Sequence, residues 1–299
     1  MDVSWDVPAG GVCALLGRNG AGKTTAVRIL TTLLDADRGH ARVAGFDVAT
    51  QANEVRRRIG VTGQTATMDE LLTGWENLET IGRFCHLGAA VSRRRADELL
   101  HQFDLVDAGR QLVKRYSGGM RRRLDLAASL IADPEVLFLD EPTTGLDPIS
   151  RGEMWASIRS LASGGTTVLL TTQYLDEADR LADTIVVIDR GLVVAGGTPE
   201  QLKASIGRPF VRVTLPDVDP ANLERVRRLL GDAADVDGRS VSAPAPAGLT
   251  TLADVVEQLH RMGVPIHEVG LEHPSLDEVF STVTGHAGSP SPAPAADGR

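Results

Sequence analysis

The residues with the clearest chemistry in this chain form one stretch, Gly17-Arg18-Asn19-Gly20-Ala21-Gly22-Lys23-Thr24. It fits G-x-x-x-x-G-K-[ST] without a mismatch and sits between an apolar run and a helical pattern. Glycines let the backbone curl so that successive N–H groups face an anion, and the following helix adds its positive end. Lys23 is then placed to meet the β- and γ-phosphates of a nucleotide, and the Thr24 hydroxyl to ligate Mg2+. The plainer reading is a glycine turn with an exposed lysine; a strand before the stretch and a helix after it favour the phosphate loop. The phosphate-binding set is Gly17, Asn19, Gly20, Ala21, Gly22, Lys23, Thr24 and Thr25.

A phosphate loop alone leaves kinases, GTPases and helicases open. Three further stretches narrow the choice. Ser117-Gly118-Gly119-Met120-Arg121 precedes a helical pattern, Val136-Leu137-Phe138-Leu139-Asp140-Glu141-Pro142 is an apolar run ending in two acids, and Gly145-Leu146-Asp147-Pro148 follows at once. Taken singly, the first is an N-cap and turn, and the second a solvated strand end. In order on one chain with the phosphate loop, they resemble the signature loop, the Walker B strand and the D-loop of ATP-binding-cassette (ABC) ATPases. Gln64 falls where that family carries its Q-loop, and the resemblance covers about residues 2–202.

That resemblance implies ATP and Mg2+ as cofactors and a division of labour among residues. Asp140 holds Mg2+ through its water shell, together with Thr24 and Gln64. Glu141 orients or deprotonates the attacking water, the task of a general base. Lys23 neutralises charge on the transferring group. Ser117, Gly118 and Gly119 form a second anion cradle at a helix N-terminus, facing the γ-phosphate held by the other cassette of a dimer, and Asp147 joins the nucleotide-contacting set. One cassette per chain therefore implies a homodimer, or pairing with a second cassette, closed on two ATPs.

The match departs from the family in two places. Where the family carries a histidine after the next strand, this chain has Thr171-Thr172-Gln173-Tyr174, and no histidine lies between His101 and His260. Gln173 donates a hydrogen bond but carries no charge, so it is expected to be the working switch residue. The alternative is a hydrolysis-impaired regulatory module that only binds ATP. The family also places an adenine-stacking aromatic on a strand well before the phosphate loop. Trp5 is the sole aromatic before Gly17 and fits a core position on the strand leading into the loop, so an N-terminal strand with its aromatic is expected to be missing.

The elements that must position these groups follow from hydrophobic patterning. Short apolar runs alternating with helical patterns through the first two-thirds predict an α/β fold, here a phosphate-loop NTPase core. Strands are expected at 12–16, 136–139, 167–170 and 185–188, and a helix at 24–34. Residues 69–132 read as almost wholly helical, a subdomain inserted into the core, with Leu99, Leu100, Phe103 and Leu105 on its apolar positions. Beyond Gly207 the order changes to strand (210–215), helix (220–230), two short strands (233–236, 240–243), helix (252–262) and strand (266–271), the ferredoxin-like βαββαβ arrangement. A last helix starts at Ser275, where Ser275 and Glu278 are spaced for a capping box. The expected domains are thus 1–206, the ATP-binding domain, 207–286, an accessory α+β domain, and 287–299, a Pro/Ala/Ser/Gly tail too poor in apolar bulk to order.

Composition sets the partners. With 299 residues, 42% hydrophobic content and a net charge of −9, the chain has a normal core and no broad basic footprint for nucleic acid or anionic lipid. No apolar run reaches the ~18 residues of a membrane span, and Cys13 and Cys85 form no metal or redox spacing. The segment from Thr171 to Asp179 and the late Pro274-Ser275-Leu276-Asp277-Glu278-Val279-Phe280 resemble daunorubicin-resistance-type exporter ATPases. This implies a peripheral subunit on the cytoplasmic face of the cell membrane, powering efflux of a drug or other hydrophobic compound through a separate permease. Gln64 and the helical region 71–105 are the docking surface the family implies. Arg56-Arg57-Arg58 and Arg93-Arg94-Arg95 read as solvated helix faces, while Arg121-Arg122-Arg123 lies where a phosphate or permease contact is open. A soluble ABC ATPase acting on ribosomes or DNA would carry tandem cassettes or a long coiled-coil arm, and the spacing from Gln64 to Ser117 leaves no room for one.

Overall fold

A computed structural model describes residues 3–63, 68–207 and 209–285. Gln64 lies outside the described residues, as do Arg208 and the expected tail. The chain divides into two compact units, Met1–Pro199 and Glu200–Arg299.

In the first unit, β1 (Val12–Leu16) runs into the phosphate loop and α1 (Lys23–Leu30). A hairpin, β2 (Arg42–Val43) and β3 (Phe46–Asp47), is followed by α2 (Ala52–Arg56) and β4 (Ile59–Thr62). Three helices come next: α3 (Gly74–Phe84), α4 (Ala89–Gln102) and α5 (Gly118–Ser129). The unit closes with β5 (Val136–Asp140), α6 (Pro148–Ser163), β6 (Thr167–Thr172), α7 (Leu175–Leu181), β7 (Thr184–Asp189) and β8 (Leu192–Gly197).

The sheet order is β4-β5-β6-β1-β7-β8, parallel except for β8. Strands covered on both faces must be apolar throughout, which is why β1 and β6 are buried at every position. Parallel pairing puts all the strand carboxyl ends on one edge. The register sets Leu16 beside Thr172 and Asp140 beside Thr171 on that edge, where ligands of open α/β sheets bind.

Three local expectations are corrected. The first helix stops at Leu30 rather than 34, because Thr31 turns its hydroxyl back to the Val27 carbonyl (2.8 Å) and Thr32 takes φ 62°. Residues 69–132 are less helical than their pattern suggests: after α4 the chain runs through turns, a short 3-10 turn Val113–Arg115 and a bridge between Thr73 and Leu112 before α5. Leu99, Leu100, Phe103 and Leu105 are nevertheless all buried. Trp5 lies in an irregular segment ahead of β1, not in a strand, and packs between the apolar clusters on either side of it.

The second unit contains β9 (Phe210–Thr214), α9 (Pro220–Leu230), β10 (Asp235–Asp237), β11 (Ser240–Pro244), α10 (Leu249–Met262) and β12 (Glu268–Glu272). The preceding helix, Pro199–Ile206, is α8, and α11 spans Leu276–Val283 behind the Ser275–Glu278 capping box. Its sheet is antiparallel, in the order β10-β11-β9-β12, with β9 central as the βαββαβ arrangement requires. Val211, Val213 and Val241 from the strands meet Leu223, Val226, Val255 and Leu259 from the helices to form its core.

Candidate active site

The phosphate loop is built by close packing at one glycine and by handedness at two others. A Cβ at Gly17 would lie 2.4 Å from the carbonyl oxygen of Ile188, so no side chain fits where the loop crosses β7. Gly20 (φ 82°) and Gly22 (φ 110°) turn through left-handed backbone. Gly22 is also the N-cap of α1 and supplies no side chain to it, which leaves the first helical N–H groups for an anion.

Lys23 is buried at the centre of this loop. Its Nζ donates to the carbonyls of Gly17 (2.6 Å) and Arg18 (3.2 Å) and lies 4.0 Å from Glu141 Oε1. Burial lowers its pKa, against the opposing pull of Glu141 and Asp140. On the neighbouring strand end, buried Asp140 accepts from Thr171 Oγ1 (2.5 Å) and from Thr24 Oγ1 (3.4 Å). Thus Lys23, Thr24, Asp140 and Glu141, four residues from two distant stretches, converge on one strand edge.

Glu141 sits at φ 50°, a left-handed conformation that a non-glycine residue adopts only when its surroundings hold it there. Its N–H is held by Thr171 Oγ1 at 3.0 Å and Thr171 O at 3.2 Å. Its Oε2 accepts from Thr144 Oγ1 at 3.2 Å, and its carbonyl accepts from Arg122 Nη2 at 2.8 Å. A carboxylate beside a buried ammonium, fixed at both ends of its own peptide, has the geometry to receive a proton from a positioned water.

The other expected residues are held by local contacts of their own. Ser117 caps α5, its Oγ accepting from Met120 N at 3.2 Å, and exposed Gly118 and half-buried Gly119 open the helix. A Cβ at Gly119 would meet Ser150 Oγ at 2.7 Å, so the signature turn rests on the start of α6. Asp147 caps α6 by accepting from Ile149 N, Ser150 N and Ser150 Oγ, and these bonds, led by Ser150, lower its pKa. Gln173 stands half-exposed between β6 and α7. Among the described residues, no hydrogen bond joins the Ser117 corner to the phosphate loop, or Gln173 to either.

Comparison with known proteins accords with this geometry. The ABC transporter family pattern matches residues 1–144, from β1 through the acids that end β5. Over 286 residues the chain is 55% identical to "Daunorubicin resistance ATP-binding protein DrrA2" of Streptomyces coeruleorubidus, covering 94% of this chain and 88% of that protein. The chain belongs to the ABC transporter ATP-binding subunits. This cassette is also 50% identical over 289 residues to "Daunorubicin/doxorubicin resistance ATP-binding protein DrrA" of Streptomyces peucetius, covering 94% of one and 86% of the other. A solved dimer of the ATP-binding cassette MJ0796, in a post-hydrolysis state with ADP and Pi, matches with TM-score 0.59 and 25% identity over 65% of this chain and 88% of that one. The cassette is an ATPase with the phosphate-loop fold of that family.

Two residues of the centre escaped the sequence reading. Thr171 is fully buried, and its signal was a pair of threonines ending an otherwise apolar strand. Arg122 was visible only as the middle of an arginine run. It turns inward to backbone carbonyls, whereas its neighbours Arg121 and Arg123 pair with Glu70 and Glu153. The other runs are mixed too: Arg57 is a solvated face, but Arg58 lies over Phe46 (4.2 Å), and Arg95 caps the end of α5 through the Leu130 and Ile131 carbonyls.

Proposed function

We propose that this ATPase powers export of a drug-like hydrophobic compound through a separate membrane permease, as one of two cassettes that close on ATP. The convergence of Lys23, Thr24, Asp140 and Glu141 on the carboxyl ends of β1 and β5 carries the catalytic half of this reading. In it, the N–H groups from Gly20 to Thr25 and the Lys23 ammonium cradle the phosphates of ATP. Thr24 and Asp140 offer two oxygens within 3.4 Å of each other, a donor set that suits a small hard cation which keeps most of its water. Mg2+ bound there, with Gln64 as a further ligand, would neutralise charge on the β- and γ-phosphates. Glu141 takes the proton of the attacking water, Gln173 donates to the γ-phosphate, and the Ser117, Gly118 and Gly119 corner, with Asp147 beside it, serves the nucleotide of the facing cassette.

The relatives named for daunorubicin resistance support the choice of cargo, and the MJ0796 dimer supports pairing of two cassettes. Among the described residues no helix is long and apolar enough to cross a membrane, so the reading assigns the transport path to a permease and the cassette to its cytoplasmic face. The helical region offers that partner Leu71, 72% exposed, and Phe84, 76% exposed. Nucleic acid is not a partner in this reading, given the charge of −9. Co-expression with the membrane proteins of its source is the test. A multi-span protein that co-purifies and makes ATP turnover respond to added hydrophobic drug is the expected result. Turnover unaffected by any such protein would overturn the transport reading.

A further inference from the structure

The guanidinium of Arg122 is the most heavily engaged side chain near the strand edge. It is the fifth residue of α5, five positions after Ser117, yet points away from the signature turn. Nε donates to Pro142 O at 2.7 Å. Nη2 donates to Glu141 O at 2.8 Å and Asp140 O at 3.2 Å. Nη1 donates to Gly63 O at 3.1 Å and reaches Asp125 Oδ2 at 3.5 Å. An arginine has five N–H donors, so this one has an acceptor for each. A solvated helix face does not need such an arrangement.

We propose that Arg122 is a positioning residue for hydrolysis, fixing the backbone of Glu141 so that its carboxylate stays aligned. The proposal rests on Glu141 being the group that activates water. The peptide before Glu141 is held from the β6 side, by Thr171 Oγ1, which also holds Asp140. The peptide after it is held from the α5 side by Arg122 Nη2 at 2.8 Å, the only side chain that reaches its carbonyl among the described residues, with a longer backbone bond from Thr144 N at 3.3 Å. Remove either clamp and the φ of 50° has less to sustain it. The fork suits this task because its planar donors can bind three successive carbonyls, of Asp140, Glu141 and Pro142, at once. A lysine ammonium is a point charge and cannot span them. The same side chain ties in Gly63, the residue before Gln64, and its own helix begins at the signature turn. Three segments with separate expected partners (permease, facing nucleotide and attacking water) therefore meet on one guanidinium.

The test uses the full chain with Arg122→Lys, Arg122→Ala and, as a reference, Glu141→Gln. Loss of alignment by a fraction of an ångström is expected to lower kcat by about 10-fold in Arg122→Lys and about 100-fold in Arg122→Ala. KM for ATP and the ATP-induced rise in thermal midpoint should stay close to the parent's, since neither depends on the base. Guanidinium ion at millimolar concentration should restore part of the rate to Arg122→Ala and none to Glu141→Gln. Should Arg122→Ala fail to fold, Arg122→Lys, which keeps the charge and most of the stem, decides through the same split between kcat and KM. Parent-like kcat in a folded Arg122 variant, or a loss borne by KM, overturns the positioning role. Parent-like turnover in Glu141→Gln would instead overturn the reading of the base on which the role depends.

Discussion

Replacing Thr171 with valine removes one hydroxyl from a fully buried site while conserving shape. That hydroxyl donates to the Asp140 carboxylate at 2.5 Å and accepts from the Glu141 N–H at 3.0 Å. A hydrogen bond to a charged group contributes about 1.5–3 kcal/mol. The Glu141 N–H retains the Thr171 carbonyl at 3.2 Å, so its share of the loss is smaller, about 0.5–1 kcal/mol. Thr171→Val should therefore destabilise the first unit by about 2–4 kcal/mol, with no cavity to add to it. Thr171→Ser keeps both bonds and loses one methyl, at about 1 kcal/mol. Urea unfolding followed by tryptophan fluorescence isolates the effect, because Trp5, Trp75 and Trp155 all lie in the first unit. Turnover of Thr171→Val should also fall at least about 10-fold, since the same hydroxyl aligns both acids. A valine variant within about 0.5 kcal/mol of the parent and equally active would refute the clamp at Thr171.

Three other outcomes are expected. Gln173→Ala should lower ATP turnover without weakening ATP binding, measured by steady-state hydrolysis and calorimetry; an unchanged rate removes Gln173 from the mechanism. Glu224 is held down to about 2, from 4.5, chiefly by hydrogen bonds from Arg227 and then Arg228. A depressed folded-state pKa contributes stability that is full above about pH 4.5 and lost as pH falls toward 2. The acid limb of second-unit unfolding, followed by circular dichroism, should thus flatten in Glu224→Gln, more so at low salt; an identical limb contradicts it. Finally, Ser275→Ala should cost about 1 kcal/mol, the value of the capping box before α11, in the same unfolding assay.

What the sequence made legible follows the range over which each interaction acts. The phosphate loop was readable because its chemistry is contiguous: turn glycines, lysine and threonine all lie within eight residues. The central strands were readable because burial on both faces demands unbroken apolar runs. Strand β8 was missed: its LVVAGG run is half-exposed at a sheet edge, and the turn into it is made by Arg190 and Gly191, both at positive φ. The overextended first helix came from counting apolar periodicity through Leu33 and Leu34, which are in fact exposed beyond the Thr31 stop. Thr171 and Arg122 were invisible as partners of Asp140 and Glu141 because strand register and helix docking bring them together across 18 to 31 positions of chain. The Ser117 corner is a third case. Its residues were legible, but in a single chain the Ser117 oxygen serves as a helix cap, and the nucleotide we propose it serves is held by a second copy.

That second copy is where the account is most directly exposed. Glu141→Gln removes the proposed base while leaving Lys23, Asp140, Ser117 and the loop glycines in place. Sedimentation of the full-length variant with ATP and Mg2+ is expected to show a dimer that reverts to monomer when Ser117 is also replaced by arginine. A Glu141→Gln chain that stays monomeric at saturating ATP, with its permease present as well as without, would contradict the two-cassette site.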